Sequence, residues 1–307
     1  VEEGVRAGEV GLVEAYAIFS DLEGFRYSNA IACLLLLSND NREAEPWPST
    51  IRVENLNASW RELGGLLRAI SVGGSQCRVR MLSFQATGFD DVCAGALADL
   101  CGAENPVLTT LTSMDLSQTR VTDKGWRILL PILSKLPNLS NFNISYTSIS
   151  DSSLPALAKM LRECRYLDTL SLEGCGIVAG VENLGNDFIL PDCLHSLILR
   201  GCPLSLSGLE RLLEVVRESK VANLDLSEIQ SLSGDKRKIR DKGSRERIAK
   251  KVSQLLVERL ASLHLNSLDG KVVTDIFRSC KAKEKVRNLQ FLEMKTVAFT
   301  PSESLDI

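Results

Sequence analysis

Histidine is almost missing from this 307-residue chain, and the two present, His195 and His264, are too few for a metal or acyl-transfer centre built on imidazole pairs. Aromatic residues make up only 5%, which removes the stacking platforms that single-strand nucleic-acid binders use. No GxxxxGKS/T, HExxH or GxSxG string occurs, so phosphate loops, zinc proteases and nucleophile elbows are excluded. The longest apolar run, Ile31 to Leu37, is far below a membrane span. A formal charge of −3 and a pI near 5.7 argue against a chain dedicated to nucleic acid. Cysteine is present but unpatterned. The nine are Cys33, Cys77, Cys93, Cys101, Cys164, Cys175, Cys193, Cys202 and Cys280, an odd number without CxxC or Cys/His ligand spacing. Reduced, buried thiols in an intracellular compartment follow, with no metal and no cofactor.

What is there is a repeat. Five segments between residues 111 and 231 carry apolar residues at positions 1, 4 and 6 and usually 11: LTSMDLSQTRVTD, LSNFNISYTSISD, LDTLSLEGCGIVA, LHSLILRGCPLSL and VANLDLSEIQSLS. Their fourth positions, Met114, Phe142, Leu170, Leu197 and Leu224, lie 28, 28, 27 and 27 residues apart. Positions 4 and 6 alternate as one face of a short strand, and the remaining length holds a helix that returns the chain to the next strand. A unit of this kind buries its apolar face only against its neighbour.

The period, the LxxLxL signature and the amphipathic helix after it resemble the ribonuclease-inhibitor-like class of leucine-rich repeat proteins. The resemblance covers most of the chain and implies an α/β solenoid horseshoe of about nine or ten strands, with a parallel sheet on the concave face and helices on the convex face. In that class position 9 is usually Asn or Cys, bonded to backbone in the turn after the strand. Here it holds Thr119, Thr147, Cys175 and Cys202, then Ile229, which has no polar atom, so an altered turn is expected there.

In chain order, residues 9–22 predict an amphipathic helix with Val10, Val13, Ala17 and Ile18 inward, and IACLLLLSN from Ile31 predicts the strand of an atypical capping repeat. The expected domains are this capping region at 1–47, the solenoid at 48–299 and a polar tail at 300–307. The chain begins at Val1 rather than Met, which leaves room for a targeting segment or upstream domain before it. Ile51 with Val53, and Val79, Leu82, Phe84 and Phe89, extend the ladder. A helix follows from Asn57 with Trp60, Leu63, Leu66, Leu67 and Ile70 inward, and another runs from about Asp90 to Cys101. Asp123, Asp151 and Ser207 are candidate N-caps. Pro131 is positioned to kink its helix. Gly180, Gly185 and Pro191 predict a short or broken helix at VENLGNDF. The closing strands are predicted on Leu260, Leu263 and Leu265, then on Val286, Leu289 and Phe291.

Two surfaces are candidates for binding. Positions 3, 5 and 7 form the exposed side of the strands, where Asp115, Asn143, Ser171, Glu173, Arg200 and Asp225 offer hydrogen-bonding groups to a protein partner. The second is a basic insertion at about 233–247, where the step from Leu224 to Leu263 is 39 residues. It holds Lys236, Arg237, Lys238, Arg240, Lys242, Arg245 and Arg247, suited to an acidic protein, a phosphorylated segment or an RNA backbone. The histidines fall on positions 2 and 5 of strands two repeats apart, more than about 9 Å, and read as solvated surface residues. The resulting expectation is a non-enzymatic interaction module: an adaptor or structural subunit of a larger intracellular assembly, cytoplasmic or in a cytoskeletal, ciliary or organellar complex. The alternatives are a GTPase-activating repeat protein, resembling the Ran-directed activators, and a substrate-recognition subunit of a ubiquitin ligase.

Overall fold

The computed structural model describes residues 11–22, 24–37, 47–72, 78–102, 108–178, 182, 188–232, 242–281, 286, 288–295 and 297. Among these residues, nine short strands follow in chain order as an open parallel sheet, alternating with helices. The chain divides into two compact units, residues 1–148 with 163–167, and residues 149–162 with 168–307.

In the first unit the elements are α1 (Leu12–Leu22), α2 (Asn29–Leu37), β1 (Thr50–Arg52), α3 (Trp60–Val72), β2 (Met81–Ser83), α4 (Asp91–Gly102), β3 (Ser113–Asp115), α5 (Asp123–Leu133) and β4 (Asn141–Asn143). The register aligns Ile51, Leu82, Met114 and Phe142 in one column, each at most 1% exposed. Trp126 of α5 meets Phe142 edge-on at 6.2 Å between ring centres. Helices pack closely beside the sheet. At Gly125 a Cβ would stand 2.6 Å from an Asp91 oxygen and 3.1 Å from Ala94. That approach lets Asp91, at the start of α4, accept from Thr122 N at 2.7 Å, Thr122 Oγ1 at 2.6 Å and Gly125 N at 3.2 Å. One repeat thus satisfies orphan donors at the helix start of the next.

The second unit holds a short 3-10 turn (Asp151–Ser153), α6 (Leu154–Glu163), β5 (Thr169–Ser171), β6 (Ser196–Ile198), α7 (Leu206–Glu218), β7 (Asn223–Asp225), a 3-10 turn (Gln230–Leu232), α8 (Lys242–Glu258), β8 (Ser262–His264), α9 (Gly270–Lys281) and β9 (Phe291–Glu293). Its column is Leu170, Leu197, Leu224, Leu263 and Leu292. The first four are at most 2% exposed.

Several expectations are corrected. The apolar run from Ile31 is helix α2, not a strand. Its buried residues Ile31, Ala32 and Leu35, against exposed Leu36, follow a helical face, and Ser28 stands at its start. Ala and Leu favour helix strongly, and the run lacks the β-branched density of a strand. Helix α1 is present but turned, burying Leu12, Ala15, Tyr16, Phe19 and Ser20, while Val13, Ala17 and Ile18 lie half-buried. Trp60, the first residue of α3, is 39% exposed, because Ser59 and Glu62 form a capping box that fixes the helix start with the indole outward. Thr122, Ser150 and Ser205 are the caps of their segments rather than Asp123, Asp151 and Ser207. A short hydroxyl in extended backbone reaches the next turn's N–H, and the residue after it enters the helical segment. Pro131 falls in the last turn of α5, which runs through it to Leu133. The last strand is re-registered: Leu263 pairs with Leu292, so the final step is 29 residues and Phe291 takes position 3 rather than 6. The predicted helix at VENLGNDF, apart from Glu182 and Phe188, and the tail at 300–307 lie outside the described residues.

Candidate partner-binding surface

The turn after each strand is the device that positions the open face. The residue at position 8 has a left-handed backbone in eight repeats: Asn55, Ala86, Gln118, Tyr146, Gly174, Gly201, Glu228 and Ser267, with φ from 53° to 68°. Six of these are not glycine, and each such conformer costs roughly 1–2 kcal/mol. The ladder offsets this. The position 8 N–H donates to the position 7 carbonyl of the following strand, as in Ala86 to Ser117 at 3.0 Å, Gln118 to Ser145 at 2.8 Å and Glu228 to Asn266 at 2.8 Å. At position 9, Thr87, Thr119 and Thr147 each donate a hydroxyl to the position 6 carbonyl of the same turn at 2.7, 2.7 and 2.8 Å. Cys202 donates instead to Leu172 O of the preceding repeat at 3.0 Å, and Cys175 lies 3.8 Å from Glu173 O. Ile229 is fully buried, yet Glu228 before it keeps φ 59°, so the expected alteration of that turn is corrected: the backbone ladder holds it without a polar atom at position 9.

The polar strip turns inward on itself. Asp115 Oδ1 accepts from Ser117 N at 2.8 Å and Ser117 Oγ at 2.6 Å, while its Oδ2 accepts from Asn143 Nδ2 at 2.9 Å. Asn143 accepts from Ser145 N at 3.1 Å, and Asp225 from Ser227 N at 2.8 Å. Position 5 therefore caps position 7, a local side-chain to backbone turn. Arg200 is likewise engaged, 3.4 Å from Glu173 and 2.6 Å from Glu228, and the Glu228 hydrogen bond raises its already high pKa. Ser171 lies half-buried beside them.

Of the basic insertion, residues 233–241 lie outside the described residues, which takes in Lys236, Arg237, Lys238 and Arg240; of Lys242 only the backbone is described. Arg245 and Arg247 belong to α8, which starts at Lys242, so the loop is shorter than the spacing suggested. Arg247 Nε pairs with Glu210 of α7 at 3.0 Å, and Arg245 lies 3.9 Å from Asp269. Lys251 joins them, 3.1 Å from Glu210 and 2.7 Å from Glu214. Hydrogen bonds from Lys251 and Arg211 hold the Glu214 carboxyl below its ordinary pKa.

Sequence reasoning missed the other cluster, on β8 and β9. His264 is no isolated surface residue: its Nδ1 lies 2.8 Å from Glu293 Oε2 and its Nε2 3.1 Å from Ser262 Oγ. Asn266 Nδ2 donates to Glu293 at 3.1 Å, and Lys295 also pairs with Glu293. Lys295, Asn266 and His264, in that order of effect, hold the Glu293 carboxyl down at about 2. The Phe291 ring, 52% exposed, sits 5.2 Å from the imidazole. The atoms Ser262, His264 and Glu293 stand in the order of a hydrolytic triad, but the Ser262 N–H is tied to Ala222 O at 3.1 Å and so cannot serve an oxyanion. His195 pairs with Asp168 at 2.8 Å. Burial pushes the Cys93, Cys101 and Cys202 thiols up to about 12, away from nucleophilic use. Among the described residues no group of three or more His, Cys, Asp or Glu could hold a metal ion. Among the described residues, no helix is long and apolar enough to cross a membrane.

These repeats carry one left-handed turn and one strand per period. No protein-family model matches the sequence. Relatives include the mouse NACHT, LRR and PYD domains-containing protein 4E, 26% identical over 52% of this chain and 16% of its own length. The fold is that of a leucine-rich repeat solenoid. The chain is also similar to the mouse Tonsoku-like protein, at 28% identity over 71% of the chain and 16% of that protein, and to its zebrafish counterpart, at 26% over 64% and 14%. It thus spans about one sixth of the length of the curated relatives it matches. Among solved structures, the leucine-rich repeat ectodomain of the Arabidopsis receptor kinase HAESA, in complex with an N-terminally extended IDA peptide hormone, matches at 18% identity over 75% of the chain and 32% of its own, with a TM-score of 0.32.

Proposed function

We propose that this leucine-rich repeat chain is a non-enzymatic protein-recognition module of the ribonuclease-inhibitor-like class, acting as an adaptor or structural subunit of an intracellular assembly. The fold and the relatives support a protein-interaction module; the class rests on a period long enough for a full helix in most repeats. Residues 1–47 are the cap, 48–299 the repeats and 300–307 a tail. The observation that carries the binding reading is Phe291. An aromatic side chain left half in solvent, flanked by charged groups already locked in position, has the make-up of an interface anchor. The strip from Asp115 to Asp225, by contrast, supplies shape and register. Lys236, Arg237, Lys238 and Arg240 steer an acidic partner.

The test compares capture, not mere co-elution. Partners cross-linked to the wild-type chain in extract of the native source are quantified against Phe291→Ser and His264→Ala. A tenfold loss with unchanged melting supports the anchor. Equal capture by both variants, with cross-links confined to the helices, would refute it, and GTPase stimulation by the purified chain would favour the regulatory alternative.

A further inference from the structure

A groove of about 440 Å³ runs along the turn edge of the first unit, lined by Asn55, Asn57, Ala86, Thr87, Gln118 and Arg120. It exists because of one residue. Position 8 carries Asn55 before it and Gln118 after it, but Ala86 between them, so the middle turn is a floor and its neighbours are walls. Gly88 keeps the floor low beyond Ala86, its α-carbon so near the previous turn that a Cβ would stand 2.1 Å from Ala58 O. The Arg120 guanidinium reaches across this low turn to Asn57 Oδ1, two strands away, at a weak 3.4 Å.

We propose that this groove binds an extended peptide segment bearing Asp or Glu. The lining holds three side-chain amides and a guanidinium, with no carboxylate. Amides of Asn and Gln carry both donor and acceptor, which matches a peptide main chain, and the planar guanidinium matches a carboxylate in bidentate fashion. The walls stand two strand spacings apart, about 10 Å, or roughly three extended residues. Charge agrees: Arg52 and Arg80, exposed on the same unit, have no carboxylate partner among the described residues, and the only side-chain bonds of Arg52 are to Met81 Sδ at 3.2 and 3.3 Å. The backbone donors of the turns are closed within the ladder, so recognition falls to these side chains.

Fluorescence anisotropy of the purified 307-residue chain with a labelled Ser-Glu-Asp-Glu-Ser peptide tests this. Saturable binding is expected, weakened at least tenfold by Arg120→Glu, which removes only the 3.4 Å contact and leaves the Arg120 N to Phe89 O bond intact. Ala86→Gln is expected to weaken it similarly by filling the floor, since Gln118 already adopts φ 56° next door. Thermal melts identify any loss due to unfolding, in which case Arg120→Glu alone decides. Binding unaffected by Arg120→Glu, equal binding of a Ser-Lys-Lys-Lys-Ser peptide, or displacement by inorganic phosphate as effective as by unlabelled peptide would each overturn the proposal. These readouts do not involve Phe291, so failure here leaves the sheet-face reading standing.

Discussion

The two units build the same turn from different chemistry. In the first, position 9 is Thr87, Thr119 and Thr147, whose hydroxyls close the turn on the position 6 carbonyl. In the second it is Cys175, Cys202 and Ile229; Cys202 donates to Leu172 O of the preceding repeat, and backbone bonds and burial do the rest. The sheet faces differ in degree: Asp115, Asn143 and, in the second unit, Asp225 cap their own turns, and Asp115 also meets Asn143 of the next strand, whereas only the second unit carries charged cross-strand links, through Glu173, Arg200 and Glu228 and then through His264, Glu293 and Asn266, among the described residues. The left-handed position 8 is constant across both. The backbone of the repeat is therefore the invariant, and the side chains are local solutions to the same closure.

The sharpest test of this equivalence is at position 10, where both units place glycine. A Cβ at Gly88 would stand 2.1 Å from Ala58 O, but at Gly176 it would stand 3.2 Å from Ile149 O. Gly88→Ala is expected to destabilise by roughly 2–3 kcal/mol because backbone must move, and Gly176→Ala by no more than about 1 kcal/mol. Equal costs in urea denaturation would show that the spacing of the turns is the same in both units.

Next in size is the position 9 closure. Thr119→Val leaves the Leu116 carbonyl without its side-chain donor inside a buried turn, at a cost of about 1–2 kcal/mol. Cys202→Ala should be felt through lost packing as well as a weak thiol bond, and Cys202→Asp more severely, since it buries a charge. Thiol reactivity sharpens the contrast: Cys33, exposed on α2, should be alkylated rapidly in the folded chain, while Cys175 and Cys202, both fully buried, should react only on unfolding. Rapid labelling of either, mapped by mass spectrometry, would contradict the closed turn.

The periodic part of the fold was legible because a buried column repeated every 27 or 28 residues leaves little freedom in register. The ends were not. Ile31 to Leu37 is a short apolar run whose spacing alone fits strand or helix, and both Leu289 and Leu292 satisfy an apolar fourth position. That three-residue ambiguity hid the cluster, since His264 meets Glu293 only once Leu292 is aligned with Leu263. The self-capping strip had a visible signature, Asp-Leu-Ser, Asn-Ile-Ser and Asp-Leu-Ser at 115, 143 and 225, which reads as turn chemistry rather than as a ligand groove.

Acid titration distinguishes the cross-strand links of the second unit from the turn caps of the first. Glu293 is held at about 2 in the folded chain against an ordinary value of 4.5. A carboxyl whose pKa is lowered by folding adds stability above its unfolded pKa, and that contribution fades as pH falls towards the folded value. Stability should therefore decline between about pH 4.5 and 2, and Glu293→Gln should flatten that part of the profile. An unchanged slope would mean that Glu293 is not held by Lys295, Asn266 and His264 in solution.

The smallest expected effect on stability separates the two halves of the basic segment. Arg247 is more than half exposed, yet it meets Glu210 at 3.0 Å beside Lys251, so Arg247→Glu replaces an attraction with a repulsion inside a small network. A solvated pair of this kind contributes about 0.2–1 kcal/mol, and its reversal should cost on the order of 1 kcal/mol, less at high salt. Reversing Lys236, Arg237, Lys238 and Arg240 to Glu should shift the denaturation midpoint by less than that while slowing capture of an acidic partner, because steering acts on association rate before any contact is made. If the fourfold reversal lowers stability more than Arg247→Glu does, those residues are holding the second unit together, and the role proposed for them in recognition fails.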